Sequence, residues 1–521
     1  MELYDVAIVG YGPVGQGLAL ALGRRGYRVV VFERHKALYG QARAGHIDGE
    51  VMRIFQGLGV AEELEPLISP VNRYEMVSAE WEVLQRINAG IATAGWRTNY
   101  LFYQPDVEDI LDRAIRALPN VTIRQGCEVT AMTTEKGAVS ITTSDRTSGA
   151  VEEHVARYLV GADGARSFVR ESMGFTTTDL GLAPINFLVV DIKQHDPSAS
   201  IPRMGELRQV LDPQRPRHAS RWNGPQHSRT EFMLLPGESP DEMSTPERCW
   251  DLLKQYWDID PDSGELVRHA VYTFETKLAD QWRRGPIFLA GDAAHVMPPF
   301  LGQGLCSGLR DIVNLCWRLD LVLRGRCNDE LLDAYETERR PHVKGIIEGS
   351  ALIAEECNVV DPEAARWRDD ALRARPADHS FERNLIAGTL HSASPLAGQP
   401  FLQGRVHEDG RTMLLDDILG HGWRLISYRP IPDGALEPDA RHVLDALDVK
   451  VALISRGRIA HGLLDIDATY DQWFYNTGMD FALERPDHYL FGAGSFAQLS
   501  GMLFGLGALT YVQSAHVEAA R

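Results

Sequence analysis

Cysteine is scarce in this 521-residue chain and scattered where it occurs. The six, at positions 127, 249, 306, 316, 327 and 357, include no C-x-x-C pair and no Cys/His cluster with zinc-ligand spacing. That excludes a dense disulfide framework and a sequence-encoded metal site, and it fits reduced thiols in a cytoplasmic protein. Positive charge is in deficit as well: 53 Lys and Arg face 72 Asp and Glu, a formal net charge of −19. Such a surface disfavours nucleic acid and anionic membranes, both polyanions. An anionic substrate stays open, because one local Arg or Lys reverses the field inside a pocket. Long apolar runs are missing. The longest near the end, Met502 to Tyr511, is broken by glycines and too short to span a bilayer. Met1-Glu2-Leu3-Tyr4-Asp5 lacks the basic region of a signal peptide. At ~150 residues per domain, about three domains are expected.

What is present begins at once. Val6-Ala7-Ile8-Val9 reads as a central parallel strand buried on both faces. A glycine-rich turn and an apolar helix follow, then a second strand, Val29 to Phe32, ending at Glu33. Between strand and helix stands Gly10-x-Gly12-x-x-Gly15. Gly10 permits the tight turn, Gly12 lets backbone N–H groups approach a pyrophosphate, and Gly15 lets helix and strand pack closely. Glu33 can accept hydrogen bonds from a ribose 2′-hydroxyl and opposes a 2′-phosphate, so the site suits NAD or FAD rather than NADP.

Two further strings place glycine turns at strand ends. Tyr158-Leu159-Val160-Gly161-Ala162-Asp163-Gly164 leads into Arg166, Ser167 and Arg170. Ile287-Phe288-Leu289-Ala290-Gly291-Asp292-Ala293-Ala294-His295 leads into Pro298-Pro299-Phe300-x-Gly302-Gln303-Gly304 and a long helical stretch. Asp292 is placed to bond a ribityl chain or ribose, and the Gly302–Gly304 turn opens a helix whose N–H groups can face an electron-rich ligand. Three such turns spread over 300 residues suggest one extended dinucleotide held at several points. Between them, residues 182–275 read as an antiparallel sheet inserted into the first domain. After a charged helical segment and a Pro-containing linker, residues 396–521 read as a separate small α/β domain.

Together these strings resemble the single-component FAD-dependent aromatic hydroxylases of the p-hydroxybenzoate hydroxylase type. The likeness continues through Gly308-x-Arg310-Asp311-x-x-Asn314 and Tyr335-Glu336-x-Glu338-Arg339-x-Pro341. Within the family it is nearest the branch of 3-(3-hydroxyphenyl)propionate, phenol and resorcinol hydroxylases, through Glu231 to Glu238, Cys306-Ser307-Gly308 and Asp416-Asp417-x-Leu419-Gly420-x-Gly422-Trp423. The resemblance implies an α/β fold: a Rossmann-like FAD-binding domain in two parts (1–181 and 276–345), the inserted substrate sheet (182–275), a helical segment and linker (346–395), and a thioredoxin-like domain (396–521). With no cysteine after Cys357, that last domain is left a structural or homodimer-contact role. Arg43 and Gln104 are implied as further FAD contacts. Asp163 would link flavin and pyridine nucleotide, Asp292 would hold the ribityl chain, and Pro299, Gly302 and Gly304 would lie near the isoalloxazine. The family string Arg-Arg-Trp-Glu-Phe reads Ser228-Arg229-Thr230-Glu231-Phe232 here, and the missing aromatic at Thr230 bears on substrate identity.

The implied activity is hydroxylation of a small phenolic or phenolic acid substrate with NADH or NADPH and O2, through a flavin C4a-hydroperoxide. Activation of the phenol asks for a base, and His46, Tyr272 and His295 are the candidates. Each also has a plain structural role open to it: local hydrogen bonding for His46, sheet core for Tyr272, support of the Gly-Asp turn for His295. Arg208, Arg221 and Arg229 could pair with a substrate carboxylate, or be ordinary surface charges. Two other functions compete: hydroxylation of polycyclic aromatic polyketides, which needs a wider chamber, and a flavoprotein dehydrogenase without oxygenation.

Overall fold

Gly10 has a backbone that only glycine enters easily, φ +104°, and a Cβ there would strike the carbonyl oxygen of Ala162. That close approach joins two of the strand-end turns in a computed structural model, which describes residues 3–88, 93–135, 137–199, 201, 203–221, 224, 226–376, 384–457 and 462–510. The strands Val121–Gln125, Val29–Glu33, Leu3–Val9, Val151–Gly161 and Ile287–Leu289 lie side by side in that order, all parallel. Their carboxyl ends therefore share one edge, and Gly10, Glu33, Ala162 and Ala290 arrive there together. Cys127–Glu135 and Ala138–Asp145 add an antiparallel meander.

A second sheet has seven strands, ordered Gly264–Phe274, Ile185–Gln194, His227–Met233, Arg217–Arg221, Leu207–Val210, Arg73–Val77 and Val83–Asn88. It reaches beyond the expected 182–275. Leu207–Val210 accepts Arg73–Val77 as a parallel neighbour, which draws in the hairpin at 73–88 from the preceding segment. Side chains alternate between faces. Leu188, Val190, Ile192, Ala219 and Phe232 pack against Cys249, Leu252, Leu253 and Trp257 of the helix Pro246–Trp257. Thr230 belongs to this covered face: its hydroxyl accepts the Trp257 Nε1–H (2.9 Å) and donates to the His218 carbonyl (2.8 Å). The departure from the family string thus lies behind the sheet. The residues one step along the strands, Val189, Gln209, His218 and Glu231, look the other way.

The third sheet orders Arg411–Leu414, Arg405–Glu408, Leu463–Asp465, Lys450–Ser455, Arg424–Ser427, Phe481–Glu484 and Leu490–Gly494. Two buried ion networks tie it to the first domain. Arg53 donates to Asp416 (2.7 Å) and Glu484 (2.8 Å), and Arg424 reaches the same two carboxylates. Arg318 and Arg485 flank Glu338, both at 2.6 Å, with Asn314 bridging Glu338 and Asp487. Among the described residues, Asp416, Glu484 and His488 are the one His/carboxylate group close enough to hold a metal ion. Two guanidiniums already neutralise its carboxylates. No helix among the described residues is long and apolar enough to cross a membrane.

Candidate functional site

A cavity of about 1020 Å³ opens at the shared strand edge and runs between the first domain and the free face of the second sheet. Every residue assigned to the cofactor from sequence lines it except Gly15. Gly15 lies beneath, where a Cβ would collide with the Gly10 carbonyl, so its role is packing of helix Pro13–Arg24 on the first strand. Gly12 is the opposite case: a Cβ there would meet nothing within 4 Å, at a helix N-terminus facing the chamber. That open space is what a pyrophosphate needs. Glu33 accepts the N–H groups of Tyr11 (2.9 Å) and His35 (2.8 Å), which aim its carboxylate at the chamber rim.

Gln104 acts through its side-chain carbonyl, which accepts the N–H groups of Arg43 (2.9 Å) and Ala44 (2.8 Å) while its amide donates to Glu108 (2.7 Å). It fixes the 43–45 loop, and the Arg43 guanidinium lies over the Tyr39 ring at 4.5 Å. Asp163 accepts the Val169 N–H (3.1 Å) with one oxygen, while the other is buried without a protein partner. Burial raises its carboxyl pKa. Asp292 projects into the chamber yet is ringed by protein; burial raises its pKa, partly offset by His295 and Arg43. An orphaned acceptor at Asp163, a carboxylate open to the chamber at Asp292 and the unobstructed backbone at Gly12 fit a long dinucleotide rich in hydroxyls and phosphate.

The turn Pro299–Gly304 is held from below. Gly302 adopts φ +62°, and its carbonyl faces His46 Nδ1 at 3.2 Å, while His46 Nε2 meets Asn99 Oδ1 at 2.9 Å. Both ring nitrogens are occupied, so His46 clamps the loop. Arg310 bonds Gln303 (2.9 Å), Asp48 (2.5 Å) and Glu50 (2.8 Å). His295 is a correction to the set of candidate bases. Its Nε2 lies 2.7 Å from Asp311, both side chains are fully buried, and it does not line the cavity. It braces the Gly-Asp turn, since Asp311 also accepts the Gly291 N–H (3.0 Å) and pairs with Arg339 (2.9 Å).

The three arginines suggested for a substrate carboxylate are turned elsewhere. Arg208 pairs with Glu75 (2.5 Å) and Arg221 reaches the Ala199 carbonyl; neither lines the cavity. Arg229 does line it, but it is spent on Asp191 (2.7 and 3.0 Å) and the carbonyls of Arg43 (2.7 Å) and Ala42 (3.0 Å). Tyr272 lines the chamber with the Arg268 guanidinium 4.8 Å from its ring. Sequence reasoning missed the groups around it. Phe187, Phe274 and Phe300 form a cage with centroids 5.1 to 6.0 Å apart. Glu231, His218 and Gln209 line the same wall. Alternation along the strands could have grouped them, but not told which face was free.

Fold and chamber together define an α/β protein with a dinucleotide-sized cleft at its strand ends, continuous with a wall that is aromatic at Phe187, Phe274 and Phe300. Residues 3–350 match the family model described as FAD binding domain, and 398–508 that of the HcaD C-terminal domain. The chain is 37% identical over 506 residues to the "Probable NADH-specific resorcinol 4-hydroxylase" of Rhodococcus jostii, covering 96% of this chain and 93% of that protein. It is 31% identical over 544 residues to a 3-(3-hydroxy-phenyl)propionate/3-hydroxycinnamic acid hydroxylase of Burkholderia vietnamiensis, covering 98% and 97%. Among solved structures, the flavin-dependent monooxygenase PieE in complex with FAD and substrate superposes with a TM-score of 0.81 at 20% identity, over 98% of this chain and 99% of that one. Aklavinone-11 hydroxylase with FAD and aklavinone superposes at 0.78 and 24%, over 96% and 98%; both share the fold. The chain belongs to the FAD-binding-domain family of FAD-dependent aromatic hydroxylases.

Proposed function

We propose that the enzyme hydroxylates a small phenol, with NADH as reductant and O2 as oxidant: one oxygen atom enters the ring and the other leaves as water. The carrying observation is the continuity of one cavity from the flavin loops to a wall that is aromatic at Phe187, Phe274 and Phe300 and polar at Glu231 and His218. Bound FAD supplies the electron transfer and oxygen activation. The chain supplies the rest. Gly10, Gly12 and Glu33 receive the adenosine half, Asp163 and Asp292 the middle, and Gly302 to Gly304 the ring end. The phenylalanine cage orients a planar ring and keeps water from the reacting carbon.

A chamber of about 1020 Å³ that must also admit FAD favours a small substrate over a polycycle, since pockets for drug-sized ligands alone run to about 300–1,000 Å³. The resorcinol and hydroxyphenylpropionate hydroxylases among the relatives support the same size class. A cytoplasmic location belongs to this reading and is supported by six unpaired cysteines, five of them buried. The test is O2 uptake with NADH across a panel of phenols, scored by hydroxylated product. Stimulated O2 consumption with matching product is expected; no product from any phenol overturns the proposal.

A further inference from the structure

The wall of the chamber carries a polar strip on the second sheet, apart from the strand-end turns of the first. His218 stands directly opposite Glu231 on the neighbouring strand, and Gln209 directly opposite His218 on the next. All three line the cavity, in a row begun by the apolar Val189. Such directly opposed side chains stand about 4.5–5.5 Å apart at Cβ, close to the span between two oxygens placed meta on one benzene ring. The row below, Arg268, Asp191 and Arg229, is occupied differently, with Asp191 held by Arg229.

We infer that Glu231, His218 and Gln209 bind the substrate as a meta-dihydric phenol, and that the Glu231 carboxylate is the base that accepts a phenolic proton. This rests on the hydroxylase reading above. In the step, the phenol O–H bond breaks, the proton goes to a Glu231 oxygen, and the electron pair stays on the substrate oxygen, raising electron density at the ring carbons ortho and para to it. His218 serves as a neutral partner for the second hydroxyl. Burial pushes its pKa down to about 4, with Arg229 adding to the shift. Burial raises the Glu231 carboxyl, against the pull of Arg229 and Arg268 and with Asp191 adding to the rise. A base lifted towards neutrality is better matched to a phenol than an ordinary carboxylate. The charged groups acting on Glu231 are Arg229, Asp191 and Arg268; the chamber wall of the same sheet also carries Arg73, Tyr74 and Tyr272, and Arg43, His46, Glu275 and Asp292 line the chamber from other elements.

The experiment compares resorcinol with 3-methoxyphenol, which keeps one hydroxyl and blocks the other, in the wild-type holoenzyme and in Glu231→Gln and His218→Asn. Wild type is expected to favour resorcinol by ~10²-fold or more in kcat/KM, towards the ~10⁴–10⁵ by which a site built for a hydroxyl rejects its absence. Glu231→Gln should retain FAD yet lose ~10²-fold or more in hydroxylation at neutral pH. It should regain rate as pH approaches ~10, where a phenol ionises unaided; a merely structural role would not move that profile. His218→Asn should lower kcat/KM by a larger factor for resorcinol than for 3-methoxyphenol, narrowing the preference between them. Equal wild-type values for the two phenols would overturn the strip, and that measurement stands even where a variant fails to fold. A Glu231→Gln enzyme with wild-type rate and pH profile would overturn the base. If wild type hydroxylates neither these nor any other phenol, the functional reading fails instead.

Discussion

Arg229→Met removes a charge but little volume, at a point where the sheet and the cofactor loop are tied together. Arg229 is 6% exposed and Asp191 4%, so the substitution strands a carboxylate in the interior. Breaking such a buried pair from one side costs about 3–5 kcal/mol. Arg268 stands across from Asp191 on the other flank and keeps part of the compensation, which places the expected loss near the lower end, about 3 kcal/mol. The same guanidinium anchors the carbonyls of Ala42 and Arg43. Arg268 also donates to the Ala42 carbonyl, so the uncompensated loss is the bond to Arg43; at about 1.5 kcal/mol it weakens FAD by about tenfold.

Two measurements check this: the FAD Kd by flavin fluorescence, and thermal unfolding of the apoprotein. The control is Asp191→Asn on the Arg229→Met background, which removes the stranded charge and should recover about 2 kcal/mol of the loss. An Arg229→Met protein with unchanged Kd and unchanged melting would refute the reasoning. So would a double variant in which the two effects simply add to within about 0.5 kcal/mol.

Gly12→Val should leave apoprotein stability within about 1 kcal/mol, the penalty of a poor N-cap, because its Cβ has no protein atom within 4 Å. It should nonetheless abolish tight FAD binding, and a yellow, fully loaded variant on purification would contradict the cradle. Tyr489→Phe deletes the hydroxyl that donates to Glu50 (2.8 Å), a partner of the Arg310 that holds Gln303. With FAD content unchanged, the share of NADH oxidised to hydrogen peroxide rather than hydroxylated product should rise severalfold, measured with catalase. Asp311 has its pKa lowered below 3.8: burial raises it, but His295 and Arg339 outweigh burial. As pH falls the unfolded chain takes up that proton first, so the stabilisation is complete above about pH 5 and lost as pH drops through the folded value. Asp311→Asn should flatten the acid limb of the stability profile, followed by unfolding midpoints between pH 3 and 6.

The cofactor half of the site was legible because its determinants are local. Gly10, Gly12 and Gly15 lie within one turn, and a fully apolar strand announces its own two-sided burial. The substrate half is built across strands distant in sequence, where chain order carries no face. Arg208, Arg221 and Arg229 read alike as cations. What separates them is Glu75, 133 residues from Arg208, and Asp191, 38 residues from Arg229. Thr230 drew attention as a departure from the family string, yet the alternation of the strand turns it to Trp257 and brings its neighbour Glu231 to the chamber. His295 adjoins the Gly-Asp string, and only the fold shows that its nearest acid, Asp311, is behind the turn.

The third sheet is far in sequence from the Gly302–Gly304 turn, but it is coupled to that turn by a short chain of contacts. Tyr489 bonds Glu50, Glu50 bonds Arg310, and Arg310 bonds Gln303 at the head of the helix Gly304–Leu323. Pro400, Phe401 and His488 from the same C-terminal region also line the chamber. The buried networks beside that chain, Arg53 with Asp416 and Glu484, and Arg485 with Glu338, would gain little over well-packed apolar residues in stability alone. Their directional bonds do what apolar packing cannot: they fix one register between two layers. The C-terminal layer, which carries no cysteine, is therefore tied in one register to the Gln303 turn at the head of that helix.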